Sequence, residues 1–537
     1  MNPNDLYYLR EDVYVDPLVN KWYAWPNLIA PITYAMYMTK THRRLMSSFV
    51  NNYELHILAN QNKSMAGGGE FVDCTAEQVG DVRALIAMWD EQYGVYRELA
   101  EAVKQLDALV KSHNTGETIE PLYEKVPELL RGYVELFMDL YHQPNYRLIE
   151  SLLYRSRYYD KSIQSVSFGL LSRVQQRPFV LSTPRLPDAN HVHLKRPFES
   201  KVWDNIFRTR ETPATGAQLA EWFAPEHIEG GLPWQELFTT EAPSRVHEVL
   251  TEEVRMRYVG HAGFLIETSD TSILIDPVIA HRNGANDAEV ISYSELPSKI
   301  DYVCLTHNHS DHVNIESLLQ LRYKIGTVVV PKNNGGTLAD PSLKLLLRQL
   351  GFNAIEVEDL EELPVPAGRI LSIPFLGEHG DLNIRSKTAW FFELHGKKIY
   401  AGADSSNLEP RMYQFIHAIT GDLDILAIGM ECVGAPYTWL YGALTTETIS
   451  RKIKESRRLN GSDFGRAAQM LETFRAKQVL IYALGMEPWY GYFMGVDYTD
   501  DSAQIVQSGK MLAHCQELGI AVERLCGKQT ITFVGAA

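Results

Sequence analysis

The first half of the chain carries apolar residues at helical spacing. They recur every three or four positions in residues 82–113 (VRALIAMWDEQYGVYRELAEAVKQLDALVKSH), which is typical of amphipathic helices. A turn with Gly116 and Pro121 follows, and residues 122–142 (LYEKVPELLRGYVELFMDLYH) continue the pattern. Residues 27–38 (NLIAPITYAMYM) are too few to span a bilayer, so we expect a buried helix or a surface that packs on a partner. This half predicts a mainly helical domain.

The second half carries the pattern of strands. Residues 254–277 (VRMRYVGHAGFLIETSDTSILIDP) predict two or three strands joined by tight turns. Further strands are predicted at DYVCLTH, IGTVVVP, ILSIPFL, TAWFFELHGKKIYAGAD, LDILAIGME and KQVLIYALG. Helical stretches such as VNIESLLQLRYK and GRAAQMLETFRA separate several of them. This alternation indicates an α/β domain with a layered core.

The connection between the halves is rich in Pro, Gly and Glu from residue 211 to residue 248. We place the boundary near residue 245, which gives domains of residues 1–245 and 246–537. A chain of 537 residues is also too long for one hydrophobic core.

Composition excludes several classes of function. The formal charge is 51 − 67 = −16, and basic residues form no stripe interleaved with aromatics, which argues against nucleic acid as a partner. The N-terminus has acids early and no continuous apolar core, so we expect neither a secretory signal nor a membrane anchor. Five widely spaced cysteines without a CxxC pattern favour reduced thiols in the cytoplasm.

One loop contains four candidate metal ligands. The sequence THNHSDH, residues 306–312, places His307, His309, Asp311 and His312 directly after an apolar strand. Two residues apart in extended backbone, His307 and His309 point to the same side. Asp311 and His312 open the next helix, so they can serve a neighbouring metal. Imidazole and carboxylate are good ligands for zinc, iron or manganese.

Two later strands end in further candidate ligands. After ILSIPFL the sequence reads GEHGD, so both Glu378 and His379 are available as the next ligand. Asp404 ends the strand KKIYAGAD and is the candidate for a carboxylate between two metals.

A late histidine is missing from the strand that would carry it. After His417 the sequence contains only His514, inside a helical pattern, whereas KQVLIYALGMEP offers Glu487 and LDILAIGMEC offers Glu431. Each of the three stays open as a ligand. A site short of imidazole and rich in carboxylate favours iron or manganese over zinc.

Residues 250–535 resemble the metallo-β-lactamase superfamily. The likeness rests on VGHAGFLIETSDTSILIDP followed by THNHSDH. It implies an αββα sandwich whose HxHxDH loop binds one or two metals, and it leaves the reaction open.

The whole chain is similar to a narrower group, the diiron β-hydroxylases of nonribosomal peptide biosynthesis of the chloramphenicol-pathway type. The resemblance rests on THNHSDH, GEHGDL and AGADS behind a long helical region with an aromatic opening. It implies an oxo- or hydroxo-bridged pair of irons, and iron ligands at six positions: His307, His309, Glu378, Asp311, His312 and Asp404. Glu378 and Asp404 would also be the catalytic carboxylates.

The same resemblance implies the reaction and its partners. We expect one oxygen atom of O2 to enter the β-C–H bond of an aminoacyl group held as a thioester on a carrier domain. An external reductase supplies electrons, and the N-terminal domain serves carrier docking and homodimerisation. Tyr437, Trp439 and Tyr441 are candidates to line the substrate groove, with core packing as the alternative.

Two other functions stay open. A dizinc or monozinc hydrolase acting on a thioester, ester or amide becomes more credible if His379 rather than Glu378 binds metal. A non-catalytic lactamase-like module conflicts with the retained HxHxDH and Asp404. The identity of the aminoacyl side chain and of the electron donor does not follow from the sequence.

Overall fold

The computed structural model describes residues 1–61, 70–174, 176–243, 250, 253–284, 290–366 and 368–534. The predicted domain boundary at residues 245 and 246 lies outside these residues. No helix in the described ranges is long and apolar enough to cross a membrane.

The N-terminal half combines helices with short strands, and helical residues outnumber strand residues. Its α-helices are α1 (Pro26–Ile29), α2 (Pro31–Tyr37), α3 (Arg43–Gln61), α4 (Val79–Gln92), α5 (Gly94–Ser112), α6 (Glu150–Leu153), α7 (Lys201–Arg208) and α8 (Gly216–Trp222), with a π-helical turn at Met38–His42. Its strands are β1 (Leu6–Leu9), β2 (Val13–Val19), β3 (Trp22–Tyr23), β4 (Val134–Met138), β5 (Pro144–Leu148), β6 (Gln164–Leu170), β7 (His191–Leu194), β8 (Ala214–Thr215), β9 (Ile228–Gly230) and β10 (Phe238–Thr239).

The predictions for this half succeed in part. The helical pattern of residues 82–113 forms α4 and α5, and the apolar stretch at residues 27–38 is buried as α1 and α2. The helix expected over residues 122–142 is wrong, because the segment forms 3₁₀ turns and the hairpin strand β4. Pro127 and Gly132, whose φ is 81°, break the helix before its pattern can propagate.

The C-terminal half is built from two seven-stranded sheets. Their strands are β11 (Glu253–Gly260), β12 (Gly263–Glu267), β13 (Ser272–Ile275), β14 (Ile300–Cys304), β15 (Ile325–Pro331), β16 (Ala354–Val357), β17 (Glu362–Val365), β18 (Gly368–Ile373), β19 (Ala389–Leu394), β20 (Lys397–Ala401), β21 (Ile425–Gly429), β22 (Gln478–Tyr482), β23 (Ala521–Arg524) and β24 (Gln529–Val534). One sheet has the order β16-β15-β14-β13-β12-β11-β24, and the other β17-β18-β19-β20-β21-β22-β23.

Helices complete this half. They are α9 (Ile315–Leu321), α10 (Leu343–Gln349), α11 (Pro410–Thr420), α12 (Thr438–Tyr441), α13 (Arg451–Ser456), α14 (Phe464–Phe474), α15 (Gly491–Met494) and α16 (Ala503–Glu517). The strands expected from the sequence are confirmed, from the β11–β13 hairpins to β22.

Three buried clusters hold the layers together. The facing sides of the two sheets enclose one core, with Phe264 and Ile275 opposite Trp390 and Phe392. Helices α11, α14 and α16 cover the outer face of the second sheet. The outer face of the first sheet, with α9 and α10, shares one continuous core with the N-terminal half. The result is the predicted αββα sandwich, with the N-terminal half packed against one helical layer.

A buried ion network joins the N-terminal half to α9. The Arg177 guanidinium donates to both Glu316 oxygens, at 3.0 and 2.9 Å, and also contacts Asp16. Arg185 Nε donates to the other Asp16 oxygen at 2.8 Å. Tyr23 donates to Glu316 as well, at 2.9 Å. Because Glu316 follows the HxHxDH loop by four residues, this network fixes the helix on which the loop ends.

Replacing Arg177 by Met leaves Asp16 and Glu316 buried with too few partners, so we expect unfolding to become easier by ~3–5 kcal/mol. The matched control is Arg173→Met, because Arg173 pairs with Glu236 where both side chains are more than a third exposed, at 36% and 38%. The control should cost less than ~1 kcal/mol. Guanidinium denaturation measures both, and equal effects of the two changes would contradict the network's role.

Glu150 makes a second contact between the halves. Its carboxylate accepts from Asn333 Nδ2 and from the Ser342 backbone N–H, both at 2.8 Å, at the loop before α10. Burial, which outweighs these hydrogen bonds, raises the pKa of Glu150 to about 7. The folded state therefore holds this proton more tightly than the unfolded chain does.

We expect a pH-dependent contribution from Glu150. The protonated Glu150 side chain stabilises the folded state fully below pH 4.5, the pKa of this group in the unfolded chain. This stabilisation is lost as the pH rises through about 7, its pKa in the folded state. Relative to Glu150→Gln, the wild-type chain should lose ~2 kcal/mol of stability between pH 5 and pH 8, a figure reduced for partial exposure. Glu128→Gln, at a side chain that is 82% exposed, is the control. Parallel pH profiles for wild type and Glu150→Gln would refute the shift.

Candidate metal centre

Strand ends from both sheets bring the candidate ligands together. β14 ends at Cys304, and the loop 305–314 runs to α9, where Asn314 caps the helix by accepting from Ser317 N at 2.8 Å. Asp276, which directly follows β13, accepts from the Thr306 N–H at 2.8 Å. The backbone of the loop is thus pinned at both ends.

Asp276 also sets the orientation of His312. His312 Nδ1 lies 2.8 Å from Asp276 Oδ2, so it donates there and leaves Nε2 directed at Asp404 Oδ2, 3.1 Å away. Burial lowers the pKa of His312, but Asp404, Asp311 and Asp276 outweigh it and hold that pKa well above its ordinary value. A histidine in this setting presents a fixed nitrogen, as metal ligands with a carboxylate partner do.

The first ligand group contains His307, His309, Glu378 and Asp404. One ligand atom from each lies within 4.8 Å of the others, and all four side chains are buried. His309 Nδ1 is 3.0 Å from Glu378 Oε1, and His307 Nε2 is 3.8 Å from Asp404 Oδ2. Glu378 lies in the loop after β18 with a φ of 70°, and Asp404 lies just beyond β20.

The second ligand group contains His261, Asp311 and His312, again with ligand atoms within 4.8 Å of one another. His312 Nε2 lies 3.7 Å from Asp311 Oδ2. The two groups meet at Asp404, whose Oδ2 faces both His307 and His312. The structure therefore brings all six residues predicted from the sequence into one cluster, in two adjoining sets.

The chemistry of this cluster fits a pair of cations. His307 Nε2, Glu378 Oε2 and Asp404 Oδ1 are buried and make no hydrogen bond. Burial, and then the charges of Asp404 and Asp311, raise the pKa of Glu378 well above its ordinary value. Burial and the neighbouring His312 hold the pKa of His307 well below its ordinary value. Imidazole nitrogens and crowded carboxylate oxygens form a donor set that suits a dinuclear metal site.

The structure separates Glu378 from His379. The Tyr441 hydroxyl lies 2.9 Å from His379 Nδ1 and 3.0 Å from His309 Nε2, so it bridges the two rings. Glu378 belongs to the first ligand group, and His379 belongs to neither group found among the described residues. Tyr441 thus lies beside the cluster, as one of the three aromatic residues that the sequence nominated.

The three other candidates lie elsewhere. Glu431 is held by Tyr498 at 2.9 Å and by Gln504 at 2.7 Å, and burial raises its pKa to about 7. Glu487 accepts from the His261 backbone N–H at 3.0 Å. His514, on α16, packs against Phe464 with ring centroids 5.6 Å apart.

Sequence reasoning missed His261, although it quoted the VGHAG turn that contains it. The side chain lies at the β11–β12 turn and is fully buried, with Nε2 3.1 Å from Asp311 Oδ2. A histidine in a tight turn between two apolar strands, and away from the HxHxDH motif, was the available signal.

Comparison with known proteins decides the family. Residues 8–243 match the family model for the N-terminal domain of diiron non-heme β-hydroxylases, and residues 255–438 match the β-lactamase superfamily domain. The chain is 35% identical to the 4-amino-L-phenylalanyl-[CmlP-peptidyl-carrier-protein] 3-hydroxylase of Streptomyces venezuelae, over 98% of this chain and 99% of that enzyme. The chain belongs to the diiron β-hydroxylase family.

A solved structure agrees with that assignment. The crystal structure of CmlA, a diiron β-hydroxylase from Streptomyces venezuelae, superposes with a TM-score of 0.92 at 34% identity, over 99% of this chain and 100% of that chain.

Sequence similarity to hydrolases is confined to a smaller part of the chain. A UPF0173 metal-dependent hydrolase of Brucella ovis is 30% identical, but over only 27% of this chain and 70% of that protein. Within the family the cofactor is a pair of irons, and the cluster described above is where this chain can hold them.

Replacing Tyr441 by Phe removes the oxygen that touches His309 and His379. Because such hydrogen bonds orient metal-bound histidines, we expect iron to dissociate about tenfold faster. Tyr154→Phe is the control, since the buried Tyr154 hydroxyl makes no hydrogen bond. Iron release to a chelator measures both rates, and equal rates for Tyr441→Phe and wild type would show that the bridge does not hold His309.

Proposed function

We propose that this chain is an O2-dependent diiron monooxygenase that hydroxylates the β-carbon of an aminoacyl group. The group is held as a thioester on the carrier domain of a nonribosomal peptide synthetase. The full-length similarity to a hydroxylase that acts on a carrier-bound 4-amino-L-phenylalanyl group supports this substrate class. The observation that carries the proposal is the Glu378 carboxylate, whose Oε1 lies 3.0 Å from His309 Nδ1 within the first ligand group.

The proposed ligand sets follow the two groups. His307, His309 and Glu378 would hold one iron, Asp311 and His312 would hold the other, and Asp404 would contact both. The bridging role of Asp404 is supported by its one oxygen lying 3.8 Å from His307 and 3.1 Å from His312.

The chemistry balances as one O2, two electrons and two protons added to a C–H bond, giving one C–OH and one water. When bound, the two irons supply the activation of O2, with electrons from an external reductase. The protein excludes water from this site, because the ligand side chains of the first group are buried. Asp276 and Tyr441 orient the imidazoles of His312 and His309.

The remaining roles are proposals drawn from the family and the sequence. The N-terminal domain docks the carrier, and the reaction takes place in the cytoplasm, where the five free cysteines stay reduced. Homodimerisation through this domain stays a prediction, as does the domain division at residue 245.

The reaction is tested with aminoacyl-carrier conjugates under ¹⁸O2 and a chemical reductant. We expect one conjugate to gain a single ¹⁸O atom while its thioester stays intact. Loss of the whole aminoacyl mass without oxygen would identify a hydrolase instead. Purified protein should contain about two irons per chain, with a near-ultraviolet band that reductant bleaches. Stoichiometric zinc and no colour would refute the proposal.

The choice between Glu378 and His379 is tested by two alanine variants. Glu378→Ala removes a carboxylate of the first ligand group, so iron content should fall to about half or less. His379→Ala removes a ring that belongs to neither ligand group among the described residues, so iron should be retained. Elemental analysis of both variants measures the difference. Metal loss in the histidine variant alone would show that the ligand is His379.

A further inference from the structure

The basic segment, residues 451–458 (RKIKESRR), lies on the surface of the C-terminal half. It contains five cations and one carboxylate, a net charge of +4 in a chain whose net charge is −16. It comprises α13 and the two residues that follow, and every residue of Arg451–Ser456 is exposed. A positive charge of this density, on a chain that is otherwise acidic, favours a negatively charged partner.

Most of the charge in the basic segment is not neutralised by the chain itself. Arg451 pairs with Glu455 at 2.6 Å, where the two side chains are 90% and 56% exposed. Lys452 and Lys454 form no ion pair with any residue in the described ranges. Like charges three or four positions apart on a helix destabilise it. A bound anion would relieve this repulsion.

The end of the basic segment contacts the loop that presents Glu378. Arg457 Nε donates to the Gly380 carbonyl at 2.7 Å, and the Glu378 N–H donates to the Asn460 carbonyl at 3.4 Å. Gly380, with a φ of 56°, has no room for a Cβ, which would lie 2.5 Å from Tyr437 Cβ. These contacts hold the basic segment beside the metal cluster.

A short path of aromatic residues leads from the basic segment to the cluster. The Arg457 guanidinium lies over the Tyr437 ring, 4.4 Å from its centroid. The Tyr441 N–H donates to the Tyr437 carbonyl at 2.9 Å, so the two are about one helical turn apart, a rise of ~5.4 Å. Tyr441 in turn contacts His309 and His379. Two of the three aromatic residues expected to line a substrate groove therefore connect the exposed cations with the buried cluster.

We propose that the basic segment binds the phosphate of a carrier domain's phosphopantetheine arm. A carrier domain holds its aminoacyl thioester at one end of this arm, and the other end is a phosphodiester on a serine of the carrier. The proposal rests on the proposed function, which requires the thioester to reach a buried cluster while the carrier stays outside. Lys452 and Lys454 are the free donors, and an ammonium group forms charge-assisted hydrogen bonds with phosphate.

The N-terminal half borders the same surface. Lys111, at the end of α5, lies with its Nζ 3.1 Å from Glu447 Oε1, and the Thr446 hydroxyl donates to Asp107. Helix α5 therefore flanks the chain just before the basic segment. The two halves then divide the docking: the N-terminal half contacts the body of the carrier, and the basic segment of the C-terminal half binds its phosphate.

A cycle of two changes, one in the protein and one in the ligand, tests the phosphate contact. The ligands are 4′-phosphopantetheine and pantetheine, which differ only in the phosphate. On the wild-type chain, phosphopantetheine should bind about tenfold more tightly, because hydrogen bonds to charged groups are the strong ones. In Lys452→Gln/Lys454→Gln, which removes two exposed cations, the two ligands should bind equally. Calorimetric titration measures all four affinities.

Lys201→Gln/Lys299→Gln is the matched control. These lysines are 79% and 74% exposed and lie outside the basic segment, so the net charge changes by the same amount. The control should keep the preference for the phosphate. Equal binding of the two ligands to the wild-type chain would overturn the proposal, as would a full preference in Lys452→Gln/Lys454→Gln. Tighter binding of duplex DNA than of phosphopantetheine to the basic segment would show a nucleic-acid site instead.

The same variant separates this proposal from the proposed function. With the aminoacyl-carrier conjugate that gains ¹⁸O, Lys452→Gln/Lys454→Gln should raise KM for the conjugate about tenfold and leave kcat and the iron content unchanged. Hydroxylation with an unchanged KM would overturn the phosphate site and leave the proposed function intact. A chain that holds zinc and releases the aminoacyl group would overturn the proposed function, and the phosphopantetheine titration would still decide whether the basic segment binds phosphate.

Discussion

The burial of several carboxylates in one small space is the constraint on which the rest of this site depends. Glu378, Asp404 and Asp276 are almost fully removed from water, and Asp311 lies beside them. Unpaired buried charges cost several kcal/mol each, and none of these four pairs with an Arg or Lys side chain in the described part of the chain. His312 pairs with Asp276 and Asp404, and two metal cations would supply the remaining positive charge. Folding the chain around such a cluster requires a rigid frame, because a carboxylate that could turn away would escape to water.

The frame comes from three directions. The first sheet delivers Asp276, His261 and the HxHxDH loop, the second delivers Glu378 and Asp404, and the N-terminal half fixes α9 through the Arg177 network. Arg177 and Glu316 lie a domain apart in sequence, so the metal loop is supported by residues of the other half. The N-terminal half is therefore part of the architecture of the catalytic centre, besides any role in docking a carrier. The hydroxylase of Streptomyces venezuelae, which matches this chain over 99% of its own length, keeps both halves together as well.

The sequence predicts what depends on local pattern and fails where tertiary contacts decide. Strand ends, the αββα layering and six clustered residues follow from apolar runs that end in HxHxDH, GEHGD and AGAD. The spacing of apolar residues wrongly predicted a helix over residues 122–142. That spacing does not take account of Pro127 and Gly132, which interrupt a helix. His261 could not be paired with Asp311 from the sequence, since they lie 50 positions apart and meet only when β11 and β14 join one sheet. Glu378 and His379 are adjacent in sequence, and only the folded chain shows that Glu378 lies within the first ligand group while His379 Nδ1 contacts Tyr441, 62 residues later.

The choice between the neighbours Glu378 and His379 changes the type of ligand that the first metal would have. With His379 as ligand, the first metal would have three neutral imidazoles, a set that zinc hydrolases use to activate water. Tyr441 engages the Nδ1 of His379, and the φ of 70° at Glu378 suits the turn that presents its carboxylate to His309 instead. An anionic oxygen ligand stabilises higher charge on a metal better than a neutral nitrogen does, and oxygen donors favour harder metals. Tyr441 contacts one nitrogen on each of His309 and His379, so it fixes both rings beside the cluster and leaves the Glu378 carboxylate within the first ligand group.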